Sequence, residues 1–310
     1  MKILIVGAGA MGGYYGARLL QAGADVTFLV RPQRAALLAD RGLRVRSDLG
    51  NFDAPVATVL REHLQPVYDL IVLSCKSYDL DAALDDIQPA MAGKTMMLPF
   101  LNGLGVYDQL DARFGRDRVL GGVAYIAVML ESDGAIRHFG SNDVVMIGAR
   151  SSAGVACAEQ FHARIKQSPG TRTLADNITH ALWNKWVMLA SGAAMTCLMR
   201  GTVGDILATR DGATLMQQAM AECRAVAAAE GVELTSDDVQ RLEARLLDRQ
   251  SAWAASMMRD IAQTAPRIEA DAIVGNLLAR AEQHHIETPV LRIAHCHLQV
   301  YERQQAKAAV

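Results

Sequence analysis

The stretch Ile3-Leu4-Ile5-Val6-Gly7-Ala8-Gly9-Ala10-Met11-Gly12 decides the fold. Its unbroken apolar run is the pattern of a parallel β-strand covered on both faces. Three glycines follow at the spacing G-x-G-x-x-G, and a helical pattern then runs from Gly12 to Ala22. Gly7 permits a tight turn, Gly9 lets the backbone approach a pyrophosphate, and Gly12 lets the helix pack close to the strand. The helix N-terminus adds amide donors and the positive end of a dipole. A lone motif of this kind is weak, but directly between a strand and a helix it is strong. The expected phosphate contacts are therefore Gly7, Ala8, Gly9, Ala10, Met11 and Gly12. A glycine turn with no ligand is the blander alternative.

The second strand, Ala24–Val30, tells which dinucleotide. A site for NAD places an acid near that strand's end, about 20 residues on, for the ribose diol. Here Asp25 comes too early and the strand runs out into Arg31, with Arg34 behind it. A guanidinium suits a 2′-phosphate, so the expected cofactor is NADP(H).

Working outward, Tyr68–Ser74 reads as another buried strand and a helix starts near Asp79. Thr95–Leu101 is a further strand, ending at Asn102-Gly103. Arg44–Val59 is turn-rich, with short strands or loop. Val119–Met129, Ala135–Phe139 and Val144–Ile147 follow too closely for crossover helices, so they read as an antiparallel extension of the same sheet. Past Ala153 the helical period dominates. After Thr171–Leu174 the pattern is almost continuous, with breaks near Gly201-Thr202, Gly231, Thr235-Ser236 and Pro289. Gln304–Val310 reads as a frayed helix end. The expected fold class is α/β: an N-terminal Rossmann-type doubly wound sheet over residues 1–176, then an all-α C-terminal domain over residues 177–310.

Bulk properties exclude several function classes. The 310 residues carry a net charge of −2, which supplies no basic field for nucleic acid or an anionic membrane. No apolar run approaches the ~20 residues of a membrane span, and the N-terminal run is too short for a signal peptide. The five cysteines, Cys75, Cys157, Cys197, Cys223 and Cys296, are odd in number and sit in apolar stretches, as thiols in a reducing compartment do. A cytoplasmic location is expected. His284-His285 and His295-Cys296-His297 lack closing ligands at standard spacing, so no metal is expected. Met188, Met195 and Met199 read as core filler, and Glu222–Glu230 as a solvated helix face.

Several fragments, in order, resemble the ketopantoate reductases over nearly the whole chain. They are Gly7-x-Gly9-x-x-Gly12, Ser74-Cys75-Lys76, Asn102-Gly103-Leu104-Gly105, Leu182-Trp183-Asn184-Lys185, Ser256-Met257-Met258-Arg259-Asp260, and Glu269-Ala270-Asp271-Ala272-Ile273-Val274-Gly275. The resemblance implies an NADPH-dependent reductase taking 2-dehydropantoate to pantoate, with its site in a cleft between a Rossmann and a helical domain. It implies Lys185 as the catalytic lysine, Asn102 as the amide near nicotinamide and substrate, and Lys76 beside the cofactor. Ser256 and Glu269 become the substrate-binding pair. The chemistry agrees, because a ketone that receives hydride becomes an alkoxide that an ammonium can stabilise and protonate. A lysine between Trp183 and Trp186 is otherwise explained by a snorkelling side chain.

The sequence departs from that family at three positions usually filled by amides, where Leu189, Ala193 and Trp253 stand. Reductase chemistry survives, but a site without those partners loses discrimination for a substrate hydroxyl. Leu189 and Ala193 imply a wider, drier pocket, and a more apolar 2-oxo acid becomes the alternative substrate. Two other readings remain: an opine-type or 3-hydroxy acid dehydrogenase, which would want a histidine in the motifs, and a cofactor-binding regulator without turnover. The expected partner is a small-molecule 2-oxo acid, and a homodimer is left open.

Overall fold

The computed structural model describes residues 1–91 and 93–308. By its contacts the chain divides into two units. The first comprises Met1–Leu101 with Val106–Ala181, the second Asn102–Gly105 with Leu182–Val310.

In the first unit, β1 (Lys2–Val6), α1 (Ala10–Gln21), β2 (Asp25–Leu29) and α2 (Pro32–Arg41) follow one another as the glycine motif demands. The chain continues through β3 (Leu43–Arg46), β4 (Phe52–Ala54), β5 (Ala57–Val59), β6 (Leu70–Leu73), α3 (Leu80–Ile87), β7 (Met96–Pro99) and α4 (Gly105–Phe114). Then come β8 (Gly121–Leu130), β9 (Ile136–Gly148), α5 (Val155–Ile165) and β10 (Thr171–Leu174). The main sheet has the order β5-β2-β1-β6-β7. All its pairings are parallel, with Ile5 opposite both Phe28 and Val72. The central strands are wholly buried apart from Lys2 and two positions of β2, as a doubly covered sheet requires.

The strands after Val119 do not extend that sheet, contrary to the expectation above. They form a second five-stranded sheet, β10-β9-β3-β4, with β8 antiparallel to β9. Ala135–Phe139 and Val144–Ile147 are parts of one strand, β9, which passes through a register shift where Ile126 pairs with Asp143 and Val128 with His138. The polar Gly140-Ser141-Asn142 thus reads as a turn in sequence but is a bulge in the ladder.

Helix α1 packs against both sheets because it lacks bulk where it meets them. A Cβ on Gly16 would lie 2.3 Å from the Phe28 ring, and one on Gly13 would lie 2.2 Å from Ile136 Cδ1. A buried polar knot fastens the same layers. Arg172 Nη1 donates to Asp143 Oδ1 at 2.8 Å, Tyr14 OH to Asp143 Oδ2 at 2.8 Å, and Tyr15 OH to Asp143 Oδ1 at 3.0 Å. Burial, then the Asp143 charge, push the Tyr15 phenol well above its ordinary value, so it stays a donor.

The remaining chain is helical: α6 (Ile178–Met199), α7 (Val203–Leu207), α8 (Gly212–Ala229), α9 (Ser236–Leu246), α10 (Ser256–Ala262), α11 (Asn276–Gln283) and α12 (Pro289–Ala308). Thr202 and Thr235 open α7 and α9 with reciprocal capping boxes to Asp205 and Asp238. The division falls within α6, a little beyond the boundary at 176, because that helix begins in one unit and continues into the other. Between Leu246 and Ser256 the chain is irregular, a break the helical periodicity hides. Asp271–Gly275 forms a π-helical turn.

Glu222 is not a solvated residue. It is buried and accepts hydrogen bonds from Val290 N at 3.1 Å and Leu291 N at 3.0 Å, closing the N-terminus of α12. Met195 is buried as expected, whereas Met199 is exposed. Gln304–Ala308 belongs to α12, and the last two residues of the expected frayed end lie outside the described residues.

Candidate active site

In the first unit the glycine loop has the form of an anion cradle. Gly7 has φ +90°, a region that side chains avoid. A Cβ on Gly12 would sit 2.2 Å from Gly7 O and 2.2 Å from Ser74 Oγ, while one on Gly9 would meet nothing within 4 Å. The crowded position closes the helix on the strand, and the open one leaves room for a ligand to reach the backbone. Gly9 caps α1 without a side-chain bond, and no acid lies in the first turn, so its amides and dipole face outward unneutralised. Ser74 Oγ donates to Val6 O at 2.9 Å, tying the end of β6 to that of β1. These features fit a bound dinucleotide.

Arg31 and Arg34 separate in role. Arg31 is the exposed N-cap residue of α2, just past β2, and no acid lies in that helix's first turn. Arg34 instead donates from Nε to Ala8 O at 3.0 Å and from Nη1 to Gly134 O at 3.1 Å, bracing the cradle from behind. Burial, then Arg44, lower its pKa. Sequence reading did not assign this bracing role, because a carbonyl partner leaves no mark in sequence. Lys76 is exposed just after β6, at the start of the short turn Ser77–Asp79.

The second unit brings Lys185, Asn102 and Glu269 together. Lys185, on α6, is partly buried and donates from Nζ to Asn102 Oδ1 at 3.2 Å. Burial lowers its pKa from 10.5 to about 8, and the charge of Glu269, which is 5% exposed, holds it up against a larger fall. The Asn102–Gly105 loop belongs to this unit by its contacts. A Cβ on Gly103, at φ +82°, would lie 2.1 Å from Ala272 O. Ser256 opens α10 and does not join this trio in the described contacts.

The apolar stripe below Lys185 is not an open space. Leu189 and Ala193 are 8% and 0% exposed. The ring of Trp253 lies on the same helix, where a Cβ on Gly192 would come within 2.5 Å of it. Leu189 and Ala193 are thus packed side chains, and the Trp253 indole covers α6 at Gly192 beside them. Among the described residues no three His, Cys, Asp or Glu side chains come together to hold a metal. His284 Nε2 is 2.8 Å from Glu230 Oε1, and His295 Nε2 is 2.9 Å from Asp271 Oδ1. No helix among the described residues is long and apolar enough to cross a membrane.

Two family profiles match the chain: "Ketopantoate reductase PanE/ApbA" over residues 3–152, and its C-terminal counterpart over residues 177–302. The chain belongs to the ketopantoate reductase family. An oxidoreductase from Bacillus subtilis (strain 168), YkpB, uncharacterized by its name, is 31% identical across 98% of this chain and 100% of its own. A PanE/ApbA family ketopantoate reductase from Ralstonia eutropha JMP134 has a TM-score of 0.87 at 28% identity, covering 99% of this chain and 100% of that one. A D-mandelate dehydrogenase solved with NADH and anilino(oxo)acetate has a TM-score of 0.87 at 22% identity, over 99% of both chains, and shares the fold. This ketopantoate reductase family member is thus an oxidoreductase that uses a nicotinamide cofactor, with a Rossmann-like domain followed by a helical one.

Proposed function

We propose that this enzyme reduces a 2-oxo acid to a 2-hydroxy acid with NADPH, the family's 2-dehydropantoate being the first substrate to try. The observation that carries the reading is Lys185: an ammonium with a pKa of about 8, beside Asn102 and Glu269. When bound, the nicotinamide supplies hydride to C2 of the substrate. As that carbon–hydrogen bond forms, the carbonyl π pair moves to oxygen, and Lys185 gives that oxygen its proton and becomes a neutral amine. An acid with pKa near the working pH is a better donor than one at 10.5, and such a group contributes about 10²–10⁴-fold. Asn102 Oδ1 holds the ammonium in place, and Glu269 keeps it charged below pH 8. Ser256 and Glu269 bind the substrate's polar groups.

The cofactor is held by the amides from Gly7 to Gly12, with Lys76 beside it and Arg31 on the 2′-phosphate. Preference for NADPH is supported by an exposed Arg31 where a site for NAD would put an acid. The unbridged cysteines support a cytoplasmic setting.

A second reading of the substrate rests on Leu189, Ala193 and Trp253: a 2-oxo acid with an apolar side chain in place of 2-dehydropantoate. NADPH oxidation measured with a panel of 2-oxo acids tests both readings. Turnover of none would leave a cofactor-binding protein without reductase activity and refute the proposal.

A further inference from the structure

Glu269 and the sequence neighbours of Lys185 and Asn102 meet one piece of backbone, the π-helical turn Asp271–Gly275. Glu269 lies two residues before it, and Ile273 N donates to Glu269 O at 3.0 Å. On the Asn102 side, the Ala272 carbonyl fills the space where Gly103 lacks a Cβ. On the Lys185 side, Trp186 is 1% exposed and its Nε1 donates to Ile273 O at 2.9 Å. Asn276 closes the turn, with its backbone amide and its Nδ2, the latter at 3.0 Å, both on Asp271 O. Widened turns of this kind are rare and concentrate at functional sites.

A lysine has four rotatable carbons and finds no fixed place by itself. Its neighbour in sequence does. The indole N–H of Trp186, buried and hydrogen-bonded to one carbonyl, anchors α6 to the turn at the position next to Lys185. The same carbonyl belongs to the turn that follows Glu269 and abuts Gly103.

We propose that Trp186 is a positioning residue that acts through the Ile273 carbonyl, fixing the Lys185 ammonium between Asn102 and Glu269 and limiting its exposure to water. The role rests on the reading of Lys185 as the proton donor, but its effect on the lysine is measurable without turnover. Trp186→Phe keeps a ring and removes the hydrogen bond. With the turn unlatched, Lys185 becomes more exposed to water, desolvation weakens, and the amine's pKa rises from about 8 toward 10.5.

The test labels the intact protein with an amine-selective reagent across pH and quantifies the Lys185 peptide by mass spectrometry. Trp183→Phe is the control, since that ring lies 5.1 Å from Trp186 on the same helix. The expected result is a labelling midpoint near pH 8 in the parent and in Trp183→Phe, and a higher one in Trp186→Phe. Its kcat should also fall about ten-fold or more, with NADPH affinity unchanged. If Trp186→Phe fails to fold, Asn276→Ala loosens the same turn from a partly exposed position and should move the midpoint the same way. An unchanged midpoint in the folded variant, whatever its loss of Tm, overturns the proposal. A parent that reduces no 2-oxo acid but shows the shifted midpoint refutes the reductase reading and leaves the positioning role standing.

Discussion

Lys185 Nζ lies 3.2 Å from Asn102 Oδ1, a contact that joins a residue of α6 to a loop 83 positions earlier. The loop follows the last strand of the parallel sheet, yet by its contacts it belongs to the helical unit. A strand-end amide, a helical lysine and the carboxylate of Glu269 thus form one polar set around the lysine.

That set has a pH signature. As the proposed proton donor, Lys185 acts only while protonated, and its pKa is lowered by burial to about 8. Reduction should therefore hold below that pH and fall as pH rises through it. Glu269 raises the lysine's pKa, so Glu269→Gln should move the alkaline limb of kcat/KM to lower pH. Lys185→Ala should lower kcat by roughly 10²-fold or more while leaving NADPH affinity unchanged. A pH–rate profile across pH 6 to 10 for the three proteins checks the ordering, and an alkaline limb that stays put in Glu269→Gln contradicts it.

Cofactor preference should reside in Arg31. Arg34 is committed to Ala8 O and Gly134 O, which leaves Arg31 as the cation at the end of β2. NADPH should bind at least about ten-fold more tightly than NADH, which is ~1.4 kcal/mol. Arg31→Ala should narrow that gap by weakening NADPH. Titration calorimetry at moderate salt decides it, since equal dissociation constants in the parent would remove Arg31 from the argument.

The buried knot at Asp143 should matter for stability. Its carboxylate accepts from Arg172, Tyr14 and Tyr15, and the Arg172 and Asp143 side chains are 2% and 0% exposed. Removing one member strands a buried charge, which costs about 3–5 kcal/mol. Asp143→Ala should lose that much in denaturant unfolding, whereas Asp53→Ala, at the exposed pair with Arg46, should lose less than about 1 kcal/mol. Similar losses at both sites would show that the knot is not buried as described.

The residues legible in sequence were those whose role is set by local chemistry. Gly7, Gly9 and Gly12 declare a cradle because spacing and backbone freedom are local properties, and Ile3–Val6 declares a buried strand for the same reason. Roles set by long-range partners were not legible. Glu222 sits among charges and alanines, and only the amides of Val290 and Leu291 show that it is a buried cap. Asp143 follows a glycine and two polar residues and so reads as part of a turn, yet it anchors two tyrosines and an arginine. Arg34 looks like a second phosphate ligand until its carbonyl partners are known. The second sheet escaped because close strand spacing predicts antiparallel pairing without saying which sheet receives it.

On the proposed reading, substrate choice should turn on Trp253, whose ring occupies the face of α6 at Gly192, two turns from Lys185. Lys185, Leu189 and Gly192 fall at i, i+4 and i+7 and so share that face. Ala193 borders it and is fully buried. An asparagine placed at Ala193 alone would bury an amide against packed apolar groups, at about 1–3 kcal/mol for each polar group left unpaired, with the indole still in the way. Leu189→Asn or Ala193→Asn should therefore destabilise the protein without making it accept a hydroxylated side chain. Trp253→Asn combined with Leu189→Asn removes the ring and supplies amides together. In that double variant the ratio of kcat/KM for 2-dehydropantoate over an apolar branched 2-oxo acid should rise about ten-fold or more relative to the parent. The parent itself should turn over the apolar acid at least as well. A parent with strong native preference for 2-dehydropantoate would show that Trp253 does not exclude a hydroxylated side chain and that the indole lies outside the substrate's reach.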